Sequence, residues 1–429
     1  MRLFDKLKKK RQSKVISTEE KISNEEKHSG KAFIFCEERE LNKIMNALCH
    51  AFNINTDGNG NTIELHNEDI DIFVTAITEE MGDDAKAFIK NQINSTYGHY
   101  YHVDTEYVDN KINVLYKIDL SHGFIIIDYS FNAEDEDNKK AMIMGMFSKT
   151  LPELKGILLL CDEEYGLYCE SDRGIELILS EGGKSTLFNY LPKQEFTITP
   201  KDGQVTEEQI SRRLKNRKII EDKFIYVPAW YPVIETAENS KCRSKEDIAK
   251  RAIALMIVSL YSECLISEDM KVSEAYEFVN EIIERFDAKE FFSPREKEYL
   301  QNPNPTKEEQ IAYSWQYENL FVMEWALGFI DELDFPDHIC DVPLTVSLLK
   351  DYYSVEEILE NSKPKSKESL LDECDLIFCL DWACVDTRIH NLPAPAKMDK
   401  GVVLERHKSL NWLVGYNENA EWDKVGTDT

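Results

Sequence analysis

The segment GILLLCDEEYGLYCESDRGIELIL, residues 156–179, sets three short apolar runs between an acidic break and a Gly-containing one. Each run has the length of a strand, and each break has turn chemistry, so the segment reads as consecutive strands joined by turns. Working outward, KAFIFCE is another short apolar run, and ERELNKIMNALCHAF after it carries a helical period. NTIELH and DIDIFVTAI read as strands and DDAKAFIKNQINSTY as a helix. KINVLYKIDL and HGFIIIDYSF follow, then a Met-rich helix around NKKAMIMGMFSKTL. Hairpin-like strand pairs mixed with single helices indicate a sheet domain over residues 31–192 rather than a regular βαβ winding.

Residues 193–210, KQEFTITPKDGQVTEEQI, are mostly polar with a Pro and a Gly, and read as a linker. From 211 to 429 the helical period dominates. Residues 1–30 begin with MRLFDKLKKKRQSK and continue through polar sequence, the pattern of a disordered, solvated tail. The fold class is therefore α+β: an N-terminal mixed α/β sheet domain followed by a mostly α-helical C-terminal domain. A chain of 429 residues is long enough for two cores.

The hydrophobic and charged fractions, 42% and 31%, are those of a soluble globular protein. A formal net charge of −29, from 80 acidic and 51 basic residues, argues against nucleic acid, whose phosphates require a face rich in Lys and Arg. The same charge would steer a basic protein partner. Ten cysteines in a chain this long do not make a disulfide scaffold, and several sit in apolar runs, as in AFIFCE and ILLLCD. No pair has CxxC spacing. Cys374, Cys379 and Cys384 recur every five residues, a rotation of ~140° on a helix, so they cannot face one metal together. No apolar stretch suits a signal peptide or a membrane span, and Arg2 excludes myristoylation. A cytoplasmic protein without metal or other cofactor is expected.

Two motifs invite chemistry and fall short. Glu181-Gly182-Gly183-Lys184-Ser185-Thr186 contains the end of a phosphate-binding loop, but the glycine needed five positions before Gly183 is Ile178. Asp57, Asn59, Asn61 and Glu68 match positions of a calcium loop, yet Thr62 occupies the place of its turn glycine. Both read better as turns.

The helical half is more informative when residues are placed around each helix at ~100° per residue. In RSKEDIAKRAIALMIVSLYSE, Arg251 projects among Ile248, Leu255 and Val258. In SWQYENLFVMEWALGFI, Glu318 points into the apolar arc and Glu324 lies opposite. In LLDECDLIFCLDWACVD, Asp375 and Asp381 flank a face of Leu371, Cys374, Phe378, Trp382 and Val385. In GVVLERHKSLNWLV, Arg406, His407 and Asn411 fall with Val403, Leu410, Leu413 and Val414, while Glu405 and Lys408 point away, Glu405 toward solvent. A buried Arg needs a carboxylate, so Arg251 and Arg406 should meet Glu318, Asp375 or Asp381. The expectation is one buried polar network of Arg251, Glu318, Asp375, Asp381, Arg406, His407 and Asn411 linking four helices.

The runs RSKEDIAKRAIAL, WQYENLFVMEWALG, LLDECDLIFCLDWACVDTR and KGVVLERHKSLNWL, with the terminal EWDKVGTDT, resemble the bacterial family catalogued as domain of unknown function 4272. The resemblance covers about residues 211–429 and implies a mostly helical domain with no established activity. It also implies that Arg243, Arg251, Trp315, Glu318, Trp382, Arg406, His407, Asn411, Trp412, Trp422 and Asp423 belong to the family's pattern. Composition, charge and missing catalytic signatures favour a non-enzymatic cytoplasmic interaction protein, one version being an immunity-type protein that neutralises a basic partner. The alternative is an enzyme or small-anion binder that uses the Arg/Glu/His network as its pocket.

Overall fold

The computed structural model describes residues 27–54, 60–66, 70–132, 136–194, 205–266 and 270–429, which form two compact units divided between Lys193 and Gln194. The basic start of the chain, the centre of the expected linker, and Asp57, Asn59 and Glu68 of the calcium pattern lie outside these residues.

The described residues of the first unit build a seven-stranded sheet of β1 (Lys27–Cys36), β2 (Thr62–His66), β3 (Ile70–Thr78), β4 (Gly123–Asn132), β5 (Ile157–Leu160), β6 (Gly166–Ser171) and β7 (Gly174–Ser180). Their spatial order is β2-β3-β4-β1-β5-β6-β7, and every neighbouring pair is antiparallel. The three apolar runs of 156–179 are β5, β6 and β7. All four residues of β5 are buried, because the sheet is covered on both faces there, and such a strand reads as a continuous apolar run. One face carries α1 (Leu41–Phe52) and α4 (Glu136–Leu154), with Ile44, Leu48 and Phe147 closing over Ile34, Val74 and Ile125. The other carries α2 (Asp83–Tyr101) and α3 (Val108–Asp119), with Ile89, Leu115 and Ile118 over Phe35, Phe124 and Ile178.

KINVLYKIDL is thus helical within α3 rather than part of a strand pair. Asn110 and Asn113 of α3 donate to the carbonyls of Leu187 and Tyr190, at 3.0 and 2.7 Å, and tie down the strap after β7. The GGK sequence is a turn at the root of that strap. Gly183 adopts φ +76°, and a Cβ there would stand 2.1 Å from the Asp104 carbonyl oxygen, so only glycine fits. Lys184 meets Glu164 at 3.0 Å and Ser185 donates to the Leu187 carbonyl at 2.8 Å, so the groups of the supposed phosphate loop are engaged in the turn.

The second unit is helical: α5 (Glu207–Asp222), α6 (Lys245–Ile266), α7 (Val272–Phe286), α8 (Pro294–Gln301), α9 (Lys307–Ser314), α10 (Gln316–Leu327), α11 (Val342–Leu349), α12 (Val355–Asn361), α13 (Lys367–Ile389) and α14 (Lys400–Val414). Side-chain caps start many of them. Thr206, Ser293, Thr306, Asp341, Ser354, Ser366 and Asp399 each accept an amide hydrogen of the following turn. The cap at Thr206 starts α5 inside the stretch that reads as a linker.

Helix α10 is the centre of this unit, and all twelve of its residues are buried. A helix enclosed on every side has no solvent face, so Glu324, opposite the apolar arc, enters core instead of water. Gly328 ends α10 at φ +82°; a Cβ there would lie 2.0 Å from the Lys363 carbonyl oxygen, which makes glycine obligatory at this close approach.

Candidate functional site

Arg406 is 2% exposed and sits on the buried face of α14. Its Nε donates to Glu318 in the first turn of α10 at 3.3 Å. Nη1 donates to the Asp334 carbonyl at 2.6 Å and Nη2 to the Asp334 carboxylate at 3.0 Å. The guanidinium lies 5.3 Å from the centre of the Phe321 ring. The other oxygen of Glu318 accepts the backbone N–H of Cys340. Arg406 therefore faces two carboxylates, and its donors are directed at acceptors of this chain.

The remaining expected residues form separate groups instead of one network. Asp375 on α13 takes a two-pronged contact from Arg213 of α5, at 3.0 and 2.6 Å, and a third hydrogen bond from Asn216 at 3.1 Å. Arg213 also donates to the carbonyls of Tyr231 and Pro232. Asp381, two turns along α13, holds the Nδ1 of His407 at 2.7 Å, with both residues buried. Asn411 donates to the Gly426 carbonyl at 2.9 Å and accepts a weak contact from the Cys374 thiol.

Arg251 meets none of the three carboxylates assigned to it. Its partner is Glu296 at 2.5 Å, in the capping box that starts α8. Helix α8 lies against α6, whereas Glu318 is already held by α14 and the connection 328–341. The Trp422 ring stands against this pair, 4.9 Å from the Arg251 guanidinium and 4.5 Å from Lys408. Asp423 accepts from Ser293 and from the Arg295 amide, so the C-terminal EWDKV closes over α6 and α8.

One further expectation is corrected, and one residue outside the apolar arc proves buried. Glu405 is half-buried rather than in solvent: it accepts from Asn319 at 2.6 Å, and burial raises its pKa. Helix α14 contacts α10 as well as α13, which covers the side where Glu405 projects. Glu324 is 0% exposed, and neither oxygen of its carboxyl finds a hydrogen-bond partner among the described residues. Burial holds its pKa well above the ordinary carboxyl range.

Cavities reach the Arg406–Glu318 pair from both sides. Glu318 lines one of about 650 Å³, with apolar walls from Leu260, Trp315, Val342 and Val346. Arg406 and Asp334 line another of about 410 Å³ that also receives Lys215, Lys223, Lys365 and Glu373. Its cations are largely engaged: Lys215 with Asp372 at 2.6 Å, Lys365 with the Asp331 carbonyl at 2.6 Å, and Lys223 over the Phe335 ring at 4.6 Å. Glu373 is the unexpected residue here. Burial raises its pKa to about 7, with Lys215 opposing and neighbouring Asp372 reinforcing the shift. Its position next to the buried Cys374 gives no apolar signal, so a search confined to the apolar arc of α13 passes over it.

Among the described residues no group of three or more His, Cys, Asp or Glu is placed to hold a metal, and no helix is long and apolar enough to cross a membrane. None of the ten cysteines forms a disulfide, and burial raises the thiols of Cys379 and Cys384 to about 12. No curated protein and no solved structure matches the chain. One family does match, over residues 212–425 and hence over nearly all of the helical unit: the chain belongs to the family described as Domain of unknown function (DUF4272).

Proposed function

We propose that this chain is a non-catalytic cytoplasmic protein that binds a basic protein partner, with an immunity-type role as one version. The observation that carries this reading is the direction of the charge imbalance at the Arg406 cavity. Arg406 is matched by Glu318 and Asp334, and Lys215 by Asp372, while Lys223 lies over the Phe335 ring and Lys365 on the Asp331 carbonyl; with Asp331, Glu332 and Glu373 the wall sets five acidic residues against four basic ones. An anionic ligand would have to displace an internal carboxylate at Arg406 and at Lys215 and would face the acidic surplus of the wall, whereas a cationic group meets acceptors. The overall charge of −29 extends the same preference over the chain. Ten cysteines without a disulfide are consistent with a reducing compartment.

The test is capture from an extract of the native host on the immobilised full chain, at low and at moderate salt. The expected result is a basic polypeptide, identified by mass spectrometry, that binds the purified chain stoichiometrically and weakens as salt rises. An acidic or nucleic-acid partner, or the lack of any stoichiometric one, would count against the reading.

A second reading, an enzyme or small-anion binder, is favoured by Glu373 alone. A carboxyl raised to about 7 beside a cavity can accept or donate a proton near neutrality. Glu373→Gln would then abolish the pH dependence of any ligand uptake; uptake with an unchanged pH profile would exclude Glu373 from it.

A further inference from the structure

We infer that a cavity at one end of the sheet unit is a receptor for a guanidinium group, such as the side chain of an arginine in a peptide or protein. This goes beyond the reading above by naming a site and a chemical class, and it rests on that reading only for the sign of the partner's charge. The cavity measures about 780 Å³, within the range of small-ligand sites. It collects the ends of β1, β3 and β4, the turn after β5 and the residue that follows β7.

Its floor is a cross-strand row. Phe73 on β3 is the register partner of Asp128 on β4, which in turn is the register partner of Lys31 on β1. Residues directly opposite on antiparallel strands share a face and hold their Cβ atoms about 5 Å apart. An aromatic ring, a carboxylate and an ammonium therefore stand side by side. The Phe73 ring is 41% exposed, large for a phenylalanine in the middle of a sheet. Lys31 contacts Oδ1 of Asp128 at 3.0 Å, and about half of the Asp128 side chain remains accessible. Tyr129, next along β4, crosses the chain at Gly30, where any Cβ would fall within 2.2 Å of its ring.

The rim supplies the remaining charge. Asp162, Glu163 and Glu181 line it together with the His66–Asp71 pair, closed at 3.0 Å, and the His99 ring stands 3.8 Å from Glu181. Among the described residues Lys31 is the sole permanent cation of the lining. Phosphate and carboxylate ligands are disfavoured by this balance. An ammonium could take the carboxylate but would leave the exposed ring without a flat partner. A guanidinium uses both neighbours at once: its plane lies on Phe73 while its edge donates to the remaining oxygen of Asp128.

The test titrates the full chain with a short peptide, acetyl-Gly-Arg-Gly-amide, followed by calorimetry or by NMR. Saturable binding is expected, at least tenfold weaker for the uncharged citrulline analogue and several-fold weaker for the lysine analogue. Asp128→Asn and Phe73→Ala, both at partly exposed positions, should keep the native circular dichroism and each lose at least fivefold in affinity. The inference is overturned if no saturable binding occurs, if citrulline binds as well as arginine, or if Asp128→Asn in the folded chain binds like the parent. Failure of these arms alongside a basic partner captured from the host would remove this cavity and leave the wider reading in place.

Discussion

The two units solve the burial problem with different materials. In the sheet unit, Lys117 is the only charged side chain among the described residues that is buried, and its partner Glu37 reaches water. In the helical unit, Arg212, Arg213, Arg251, Arg406, His407, Glu296, Glu318, Glu324, Asp375 and Asp381 are all buried. The difference follows from how each architecture fixes its register. Strands are aligned by the backbone hydrogen bonds of the ladder, so their side chains are left to exclude water. Helices satisfy their backbones internally and can slide or rotate against one another, so polar pairs between them select one arrangement.

The strongest way to break this contrast is to remove a cation from each unit. Arg406→Met leaves Glu318 buried with only the Cys340 amide, and should cost ~3–5 kcal/mol of stability in the helical unit. Chemical denaturation followed by tryptophan fluorescence measures it, because all six tryptophans lie beyond residue 193. A loss below about 1 kcal/mol would mean that the pair does not set the register of these helices.

A smaller effect of opposite sign is expected at Glu324, which is buried without a hydrogen-bond partner among the described residues. Glu324→Met should stabilise the helical unit by ~1–3 kcal/mol. The pH dependence sharpens the point. Burial raises the folded pKa of Glu324 above its unfolded value, so the folded state binds the proton more tightly. Below the ordinary carboxyl range both states are protonated and the penalty is absent; as pH rises from ~4.3 toward the folded pKa it grows by about 1.4 kcal/mol per unit. The gap between Glu324→Met and the parent should therefore widen between about pH 5 and about pH 7, and a pH-independent gap would show that the carboxyl is not held protonated.

The smallest effect belongs to the sheet unit. Lys117→Met should change its stability by about 1 kcal/mol or less, since Glu37 can turn to water when its partner is lost. Hydrogen exchange of β1 and β4 amides reads it, and a loss comparable to that of Arg406→Met would erase the distinction between the units.

Much of this was legible in the sequence. The apolar runs of 156–179 are strands, and helical geometry places Arg251, Arg406, His407 and Asn411 inside. What the sequence could not convey was the pairing, because side-chain periodicity describes one helix at a time. Glu296 closes the capping box of α8, and its meeting with Arg251 depends on how α8 lies on α6. Asp334 sits in an irregular connection without any period. Glu405 was misplaced, and the burial of Glu324 opposite its arc went unread, for a related reason: an apolar arc reveals the first neighbour of a helix, and α10 and α14 have more than one. The Phe73–Asp128–Lys31 row was equally hidden, since register across β3, β4 and β1 joins residues far apart in the chain.

The connection 328–341 is fastened twice to the same ion pair, through Asp334 on Arg406 and through the Cys340 amide on Glu318. Its first stretch, around Leu333 and Pro336, walls the smaller cavity, and its last, Ile339 and Cys340, walls the larger. The two cavities are consequently not independent rooms. Anything that loosens one fastening slackens a wall they have in common, so an occupant on one side changes the shape offered to an occupant on the other.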